Sequence, residues 1–357
     1  MDKLFLSVTG YYGSGSSAIV DFLNGYRTCA IASPTDIYEH TPFYMPGGLF
    51  DLAGVLLSPY VSPYTSDKAI NAFIACAKRL NNNNFGWFGS YKHYYGDEYM
   101  NMVDKFVRKI AVERDRNNAS HVKSVKFSPI KVLLQIAAKV VYNRKVHKWG
   151  RNYVYDKEPG FFSLPTEEEF YEAAKEYTLH YMKMCSVGDS VNIFDHLIWP
   201  QQSKVVDRLF PDNFKVIIVD RDPRDVFLLN KYFWFKPPVS TTPPFFPTEE
   251  PLFIDEWRRT VVLKKNTNNV LHVQFENFVY NFNEEKARIE AFLGLDSTDY
   301  DYTKSLFDPS KSIENTQIFR FSPQWDNEVA VISKSLSEYL YDFPYERVPD
   351  SKKWFDS

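Results

Sequence analysis

The stretch from Leu4 to Leu23, LFLSVTGYYGSGSSAIVDFL, constrains the fold of this chain more than any other, because it encodes a strand, a glycine-serine turn and a helix in succession. Leu4 to Thr9 is a short β-rich apolar run. Gly10, Gly13 and Gly15 then give the backbone access to angles closed to other residues. Ser16 and Ser17 open an amphipathic helix whose apolar positions Ile19, Val20, Phe22 and Leu23 face back toward a sheet. Such a turn aims free N–H groups and a positive helix end at one point, and the natural occupant of that point is a phosphate or sulfate group.

A chain of 357 residues is long enough for a sizeable core. Its net charge of −3 provides no whole-molecule field that would favour nucleic acid. Cys29, Cys76 and Cys185 lie far apart without metal-ligand spacing, so they read as reduced thiols and no metal is expected. The start MDK runs straight into a strand, and no stretch of about 18 apolar residues follows. These features place the expected location in the cytoplasm.

Between the first helix and residue 185 the pattern is irregular and mainly helical. Thr28 to Ser33 reads as a second short strand, with helices near Asp51, from Ser66 to Leu80, and from Thr166 to Cys185. A turn of asparagines, Asn81 to Asn84, precedes an aromatic cluster of Trp87, Phe88, Tyr91, Tyr94 and Tyr95. These rings suit either packing or stacking on a sugar or flat acceptor. From Arg116 to Tyr155 there is no acidic residue, and the basic helix at 129–145 is a candidate for membrane contact or for an anionic acceptor.

Val191 to Phe194, Gln201 to Leu209 and Lys215 to Val219 read as strand, helix and buried strand, with a helix starting near Pro223. Strand, helix and strand at this spacing imply a parallel sheet. Ligands on such sheets collect beyond the carboxyl ends of the strands, where Arg221, Asp222 and Arg224 fall. Arg224 and Asp225 read equally well as a surface ion pair. Lys236 to Pro251 is too rich in proline for a helix or central strand and reads as a loop or lid. Helix Leu252 to Lys265, strand Val270 to Gln274, helix Glu284 to Leu293 and a last helix from Trp325 to Leu340 complete the expected order.

Three of these segments in this order resemble the sulfotransferases that use 3′-phosphoadenosine-5′-phosphosulfate (PAPS): the first loop, the RDPRDV segment, and VQFENFVYNFNEEKARIEAFLGL with Phe275, Glu276 and Phe292 to Leu295. The resemblance implies one α/β domain over residues 1–357, with a central parallel sheet flanked by helices as in P-loop nucleotide kinases. Residues from about 35 to 185 would form a largely helical insertion near the acceptor. It also implies that Gly13, Ser14, Gly15, Ser16 and Ser17 cradle the 5′-phosphosulfate and that Arg221 binds the 3′-phosphate. Lys311 and Arg320 would belong to a carboxyl-terminal loop over the nucleotide. A His-Leu-Pro segment of the family matches His196, Leu197 and, after an insertion, Pro200.

The sequence departs from the family in two places. Gly13 stands where a lysine or arginine would steady the departing phosphate, which leaves Lys123, Lys126 or Lys157 as possible substitutes. Leu229 replaces a serine that would bind the 3′-phosphate, with Asn230 beside it as a substitute donor. A hydroxyl acceptor must lose its proton, and His196 is the candidate general base with Asp195 the adjacent alternative, since strand alternation points only one of the two into the cleft.

The expected function is therefore sulfuryl transfer from PAPS to a hydroxyl acceptor. A carbohydrate is favoured because the insertion could build an open groove, with a sterol, phenol or lipid as alternatives. A nucleotide kinase would need lysine at position 16, where Ser16 stands. A non-catalytic relative that binds a nucleotide or glycan would be consistent with Gly13.

Overall fold

The computed structural model describes residues 3–35, 38–115, 130, 133, 137, 140, 159–188, 190–236, 239–240, 246–262 and 264–347. They form two compact units, Met1–Thr41 with Met182–Ser357, and Pro42–Tyr181. The expected basic helix at 129–145 and the cation candidates Lys123, Lys126 and Lys157 lie wholly or largely outside the described residues.

In the first unit a 5-stranded parallel sheet carries β1 (Leu4–Gly10), β2 (Cys29–Ile31), β3 (Val191–Asp195), β4 (Phe214–Asp220) and β5 (Val270–Gln274), in the order β2-β3-β1-β4-β5. The register runs Val8 to Asp195 on one side of β1 and Gly10 to Val219 on the other. Both faces of β1 and β4 are buried, which explains their nearly continuous aliphatic sequences. Leu6, Val8, Ile217 and Val219 pack on one face against Ile19, Phe22 and Leu23 of α1 (Ser16–Leu23). Alternation puts Ser7 and Thr9 on the other face, also fully buried.

The chain leaves β1 toward β2 and leaves β4 toward β5, in opposite directions across the sheet. The carboxyl ends of β1 and β4 therefore form the switch point at which such sheets bind ligands. After β4, α2 (Pro223–Leu228) begins with Asp222 as its cap, accepting from the Arg224 amide at 2.9 Å, and with Pro223 in the first turn. A π-helical turn, Leu229–Trp234, extends it. After β5, α3 (Phe275–Tyr280) and α4 (Phe282–Leu293) follow, and α4 ends on Gly294.

Several element bounds differ from the sequence expectation. Glu250–Thr260 is helical where Leu252 to Lys265 was expected, with Pro251 placed in the first turn, where no N–H is needed. Pro200–Val205 is a 3-10 segment before a single α-turn, Val206–Leu209, because the Gln202 side chain accepts from the Trp199 amide and tightens the entry. The last helix is Asp326–Ser335, followed by a 3-10 turn at Ser337–Tyr339.

The second unit contains helices Leu49–Leu56, Pro63–Asn82, Tyr91–Tyr95 and Glu98–Ile110 and most of Glu167–Cys185, with an antiparallel pair Val112–Asp115 and Pro159–Phe162. Asn81 and Asn82 complete a helix, so the expected asparagine turn is only Asn83 and Asn84. The aromatic cluster is largely packing. Tyr91 is buried, with its hydroxyl 3.1 Å from that of Tyr181, and Phe88 stacks on Phe85 at 4.6 Å, while Trp87 stays exposed.

Candidate active site

The turn after β1 is built by glycine. Gly13 has φ 75 and Gly15 φ 90, a region strained for any L side chain. Space excludes a side chain at Gly15, where a Cβ would lie 2.7 Å from the Phe275 ring, and is tight at Gly13, where one would lie 3.1 Å from Asn230 Nδ2. Gly10 has no positive φ. It is needed because a Cβ there would overlap the Ser14 hydroxyl. Gly15 caps α1 without any side-chain hydrogen bond, so no side chain competes for the first amides of the helix. Ser14 Oγ is buried and has no partner among the described residues.

The sheet carries Arg221 to this loop from the end of β4. Its Nη1 donates to the Gly13 carbonyl at 2.8 Å, its Nη2 donates to the Asn315 carbonyl, and the guanidinium lies 4.8 Å from the centre of the Phe275 ring. Arg221 Nε is buried and has no partner among the described residues. Asn230 Nδ2 donates to the Tyr12 carbonyl at 3.0 Å and to the Val226 carbonyl at 2.8 Å, and so braces the loop through its backbone.

Behind Arg221 lies a layer of buried carboxyls. Glu276 accepts from the Asp222 amide at 2.9 Å, and Asp225 accepts from the Phe319 amide at 3.2 Å. Burial pushes the Asp225 carboxyl up to about 7, against the lowering pull of Arg221. Burial also raises Glu276, and the charge of Asp222 adds to it. The expected surface pair of Arg224 with Asp225 is not formed. Arg224 instead holds Asp222 through two hydrogen bonds, 2.9 and 2.7 Å, and lies 3.9 Å from the centre of the Phe319 ring, while Asp225 is fully buried. The helix register puts Asp225 inside, where its acceptor serves a backbone amide.

His196 sits one residue past β3 with φ 49, its amide donating to the Val8 carbonyl at 3.0 Å. This left-handed turn breaks strand alternation, so Asp195 and His196 do not point to opposite sides as expected. Their side chains meet, with Nδ1 2.7 Å from Asp195 Oδ1 in an orientation that does not align a hydrogen bond. Nε2 lies 3.4 Å from the Ser16 hydroxyl, at the mouth of the loop. Burial draws the imidazole pKa down, but Asp195 and then Glu39 overcome it, leaving His196 above its ordinary value.

Lys311 and Arg320 are not drawn into this group. Lys311 is exposed and 3.7 Å from Asp308, and Arg320 pairs with Glu346 at 3.0 Å. Their segment reaches the site through a main-chain atom, the Asn315 carbonyl, which no residue-type pattern announces. Sequence reasoning also missed Glu39, and gave Phe275 no task although its ring fills the space beside Gly15.

A cavity of about 350 Å³ opens beside the loop, lined by Tyr11, Tyr12, Trp199, Phe246, Trp257 and Glu256 among others. Tyr11 and Tyr12 belong to the loop itself. Trp199 packs 5.0 Å from Tyr12 and 6.2 Å from His196, ring to ring. The cavity therefore meets the loop at Tyr11 and Tyr12, and Trp199 links its wall to His196. Among the described residues, no helix is long and apolar enough to cross a membrane.

No protein-family model and no curated protein matches the sequence. Solved structures do match. The sulfotransferase domain of the olefin synthase from Synechococcus PCC 7002 aligns over 98% of this chain and 92% of its own, at 15% identity and TM-score 0.30. Sulfotransferase STF9 from Mycobacterium avium aligns over 97% and 77%, at 12% identity and TM-score 0.36. Mouse sulfotransferase SULT7A1, complexed with PAP, aligns over 40% and 51%, at 17% identity and TM-score 0.22. At these scores the likeness adds no weight to a functional reading, which rests on the geometry of the loop, Arg221 and His196.

Proposed function

We propose that this protein transfers a sulfuryl group from PAPS to a hydroxyl acceptor. The observation that carries the reading is the contact of Arg221 with Gly13, which joins the glycine-serine loop and the RDPRD segment into one anion site at the sheet's switch point. The site fits an anionic nucleotide: the α1 end has no side-chain cap, and Ser14 Oγ and Arg221 Nε are buried without partners among the described residues. When bound, PAPS supplies sulfur whose bond to the bridging phosphate oxygen breaks, the electron pair leaving with adenosine 3′,5′-bisphosphate, as a bond to the acceptor oxygen forms.

Ser14, Ser16, Ser17 and the α1 amides would hold the phosphosulfate, with Arg221 toward the 3′-phosphate; the Asn230 amide, expected to donate there as well, instead gives both its hydrogens to the Tyr12 and Val226 carbonyls and braces the loop. His196 would take the hydroxyl proton on Nε2, and Asp195 beside Nδ1 would stabilise the resulting imidazolium. The imidazolium formed next to Ser16, with Arg221, would supply positive charge at the loop where Gly13 provides none. The aromatic cavity offers ring faces for an acceptor such as a carbohydrate or a phenol. The test is incubation with PAPS and pooled acceptors, following adenosine 3′,5′-bisphosphate and sulfonated product by mass spectrometry. Nucleotide binding with release no faster than a no-acceptor control would replace this reading with a non-catalytic binding role.

A further inference from the structure

The cavity beside the loop joins aromatic walls to one carboxylate. Glu256 lies on the helix Glu250–Thr260, whose other charged residues near it are engaged: Arg259 pairs with Asp255 at 3.0 Å, and Arg258 donates to the Ser335 carbonyl. Glu256 is solvent-exposed, has no ion pair or side-chain hydrogen bond among the described residues, and lines a cavity walled by Tyr11, Tyr12, Trp199, Phe246 and Trp257. Partial burial without a cation raises its carboxyl pKa. Tyr12 feels the charges of both Glu256 and Glu39, while the Glu39 carboxyl, raised by burial, is itself pulled down by His196 and pushed up less by Asp195.

Aromatic faces and an unpaired carboxylate attract the same kind of group, a cation carried on an apolar frame. A neutral acceptor would gain only the ring contacts, whereas a cationic one adds attraction to the carboxylate. Resting on the sulfuryl-transfer reading, we propose that the cavity selects a hydroxyl acceptor that also bears a protonated amine. The ammonium lies against Glu256 and the aromatic rings, and the hydroxyl faces His196. A cavity of about 350 Å³ is near the lower end of the usual range for small-molecule sites, roughly 300–1,000 Å³. It therefore suits a one-ring molecule, either a hydroxylated arylalkylamine or an amino sugar.

The experiment measures binding by calorimetry to the full chain saturated with adenosine 3′,5′-bisphosphate, using two matched pairs: tyramine against 4-ethylphenol, and glucosamine against glucose. The expected result is a roughly tenfold preference for the amine in one pair, which identifies the frame. In Glu256→Gln the preference should fall to about twofold or less, with the neutral partner's affinity and the nucleotide affinity unchanged. Equal affinities within both pairs, a preference that survives Glu256→Gln, or no binding of any of the four compounds would overturn the proposal. Nucleotide affinity is read separately, so loss of the donor-site reading and loss of the amine preference are distinct outcomes.

Discussion

The Arg221 guanidinium donates to the Gly13 carbonyl at 2.8 Å, across 208 positions of sequence. The donation satisfies the loop carbonyl and sets the positive charge of Arg221 against the glycine-serine turn. The second guanidinium nitrogen ties the Asn315 carbonyl to the same centre, so three distant segments share one side chain.

Arg221→Ala should therefore do more than remove one ligand contact. Charge-assisted hydrogen bonds are worth about 1.5–3 kcal/mol each, so affinity for adenosine 3′,5′-bisphosphate should fall roughly 10- to 100-fold while acceptor affinity changes far less. Arg221→Lys should rescue only part of this, because an ammonium cannot serve both carbonyls with a planar fork. Calorimetric titration of the nucleotide decides the matter, and unchanged nucleotide affinity in the alanine variant would remove Arg221 from the donor site.

Proton transfer to His196 has a signed pH dependence. Asp195 and Glu39 hold its pKa above the ordinary histidine value despite burial, and only the neutral ring can act as base. Turnover should rise with pH through an acid limb set above about 6.5. Asp195→Asn removes the main stabilising charge, so the limb should move to lower pH. His196→Asn, which tolerates the left-handed backbone, should lower kcat by about 10²–10⁴ while leaving nucleotide affinity intact. An acid limb that stays in place in Asp195→Asn would separate the pair from the chemistry.

Gly15 tests whether loop shape matters apart from charge. Alanine there meets both a φ of 90 and the Phe275 ring at 2.7 Å. The left-handed strain alone is about 1–2 kcal/mol, so Gly15→Ala should lower stability by at least that much in a denaturant titration and weaken nucleotide binding. Adding Phe275→Leu relieves the contact but not the strain, so it should restore only part of both losses. Full recovery in the double variant would show that the backbone angle is not the constraint.

The parts of this molecule that could be read in its sequence are those fixed by local physics. β1, the loop and α1 follow from an apolar run, glycines and a period of helical spacing, and β5 matches its expected bounds because aliphatics end where Phe275 begins a helix. Arg221 could be placed because it follows a buried strand. Features that depend on tertiary contact were not legible. Main-chain acceptors such as Asn315 have no residue signature, the left-handed turn at His196 overrode strand alternation, and the partner of Arg224 was decided by which face of α2 is buried. The lack of an ion pair at Glu256 follows from Arg258 and Arg259 being held by other groups, which their spacing along the helix does not announce.

The buried carboxyl of Asp225 couples stability to pH in a direction opposite to that of most salt-bridged acids. Its folded pKa, about 7, lies above the unfolded value of 3.8 because burial outweighs the attraction of Arg221. The folded state therefore keeps a proton that the unfolded chain releases, so this contribution is complete below pH 3.8 and is lost as pH rises through about 7. Asp225→Asn retains an oxygen acceptor for the Phe319 amide and removes the titration, so melting temperature should depend less on pH between those limits. The same ionisation places a negative charge behind Arg221, opposing an anion in the loop. In the native chain, nucleotide affinity should weaken as Asp225 ionises, and Asp225→Asn should flatten that decline. Parallel pH profiles of nucleotide affinity in the two proteins would mean that Arg221 is indifferent to the carboxyl behind it.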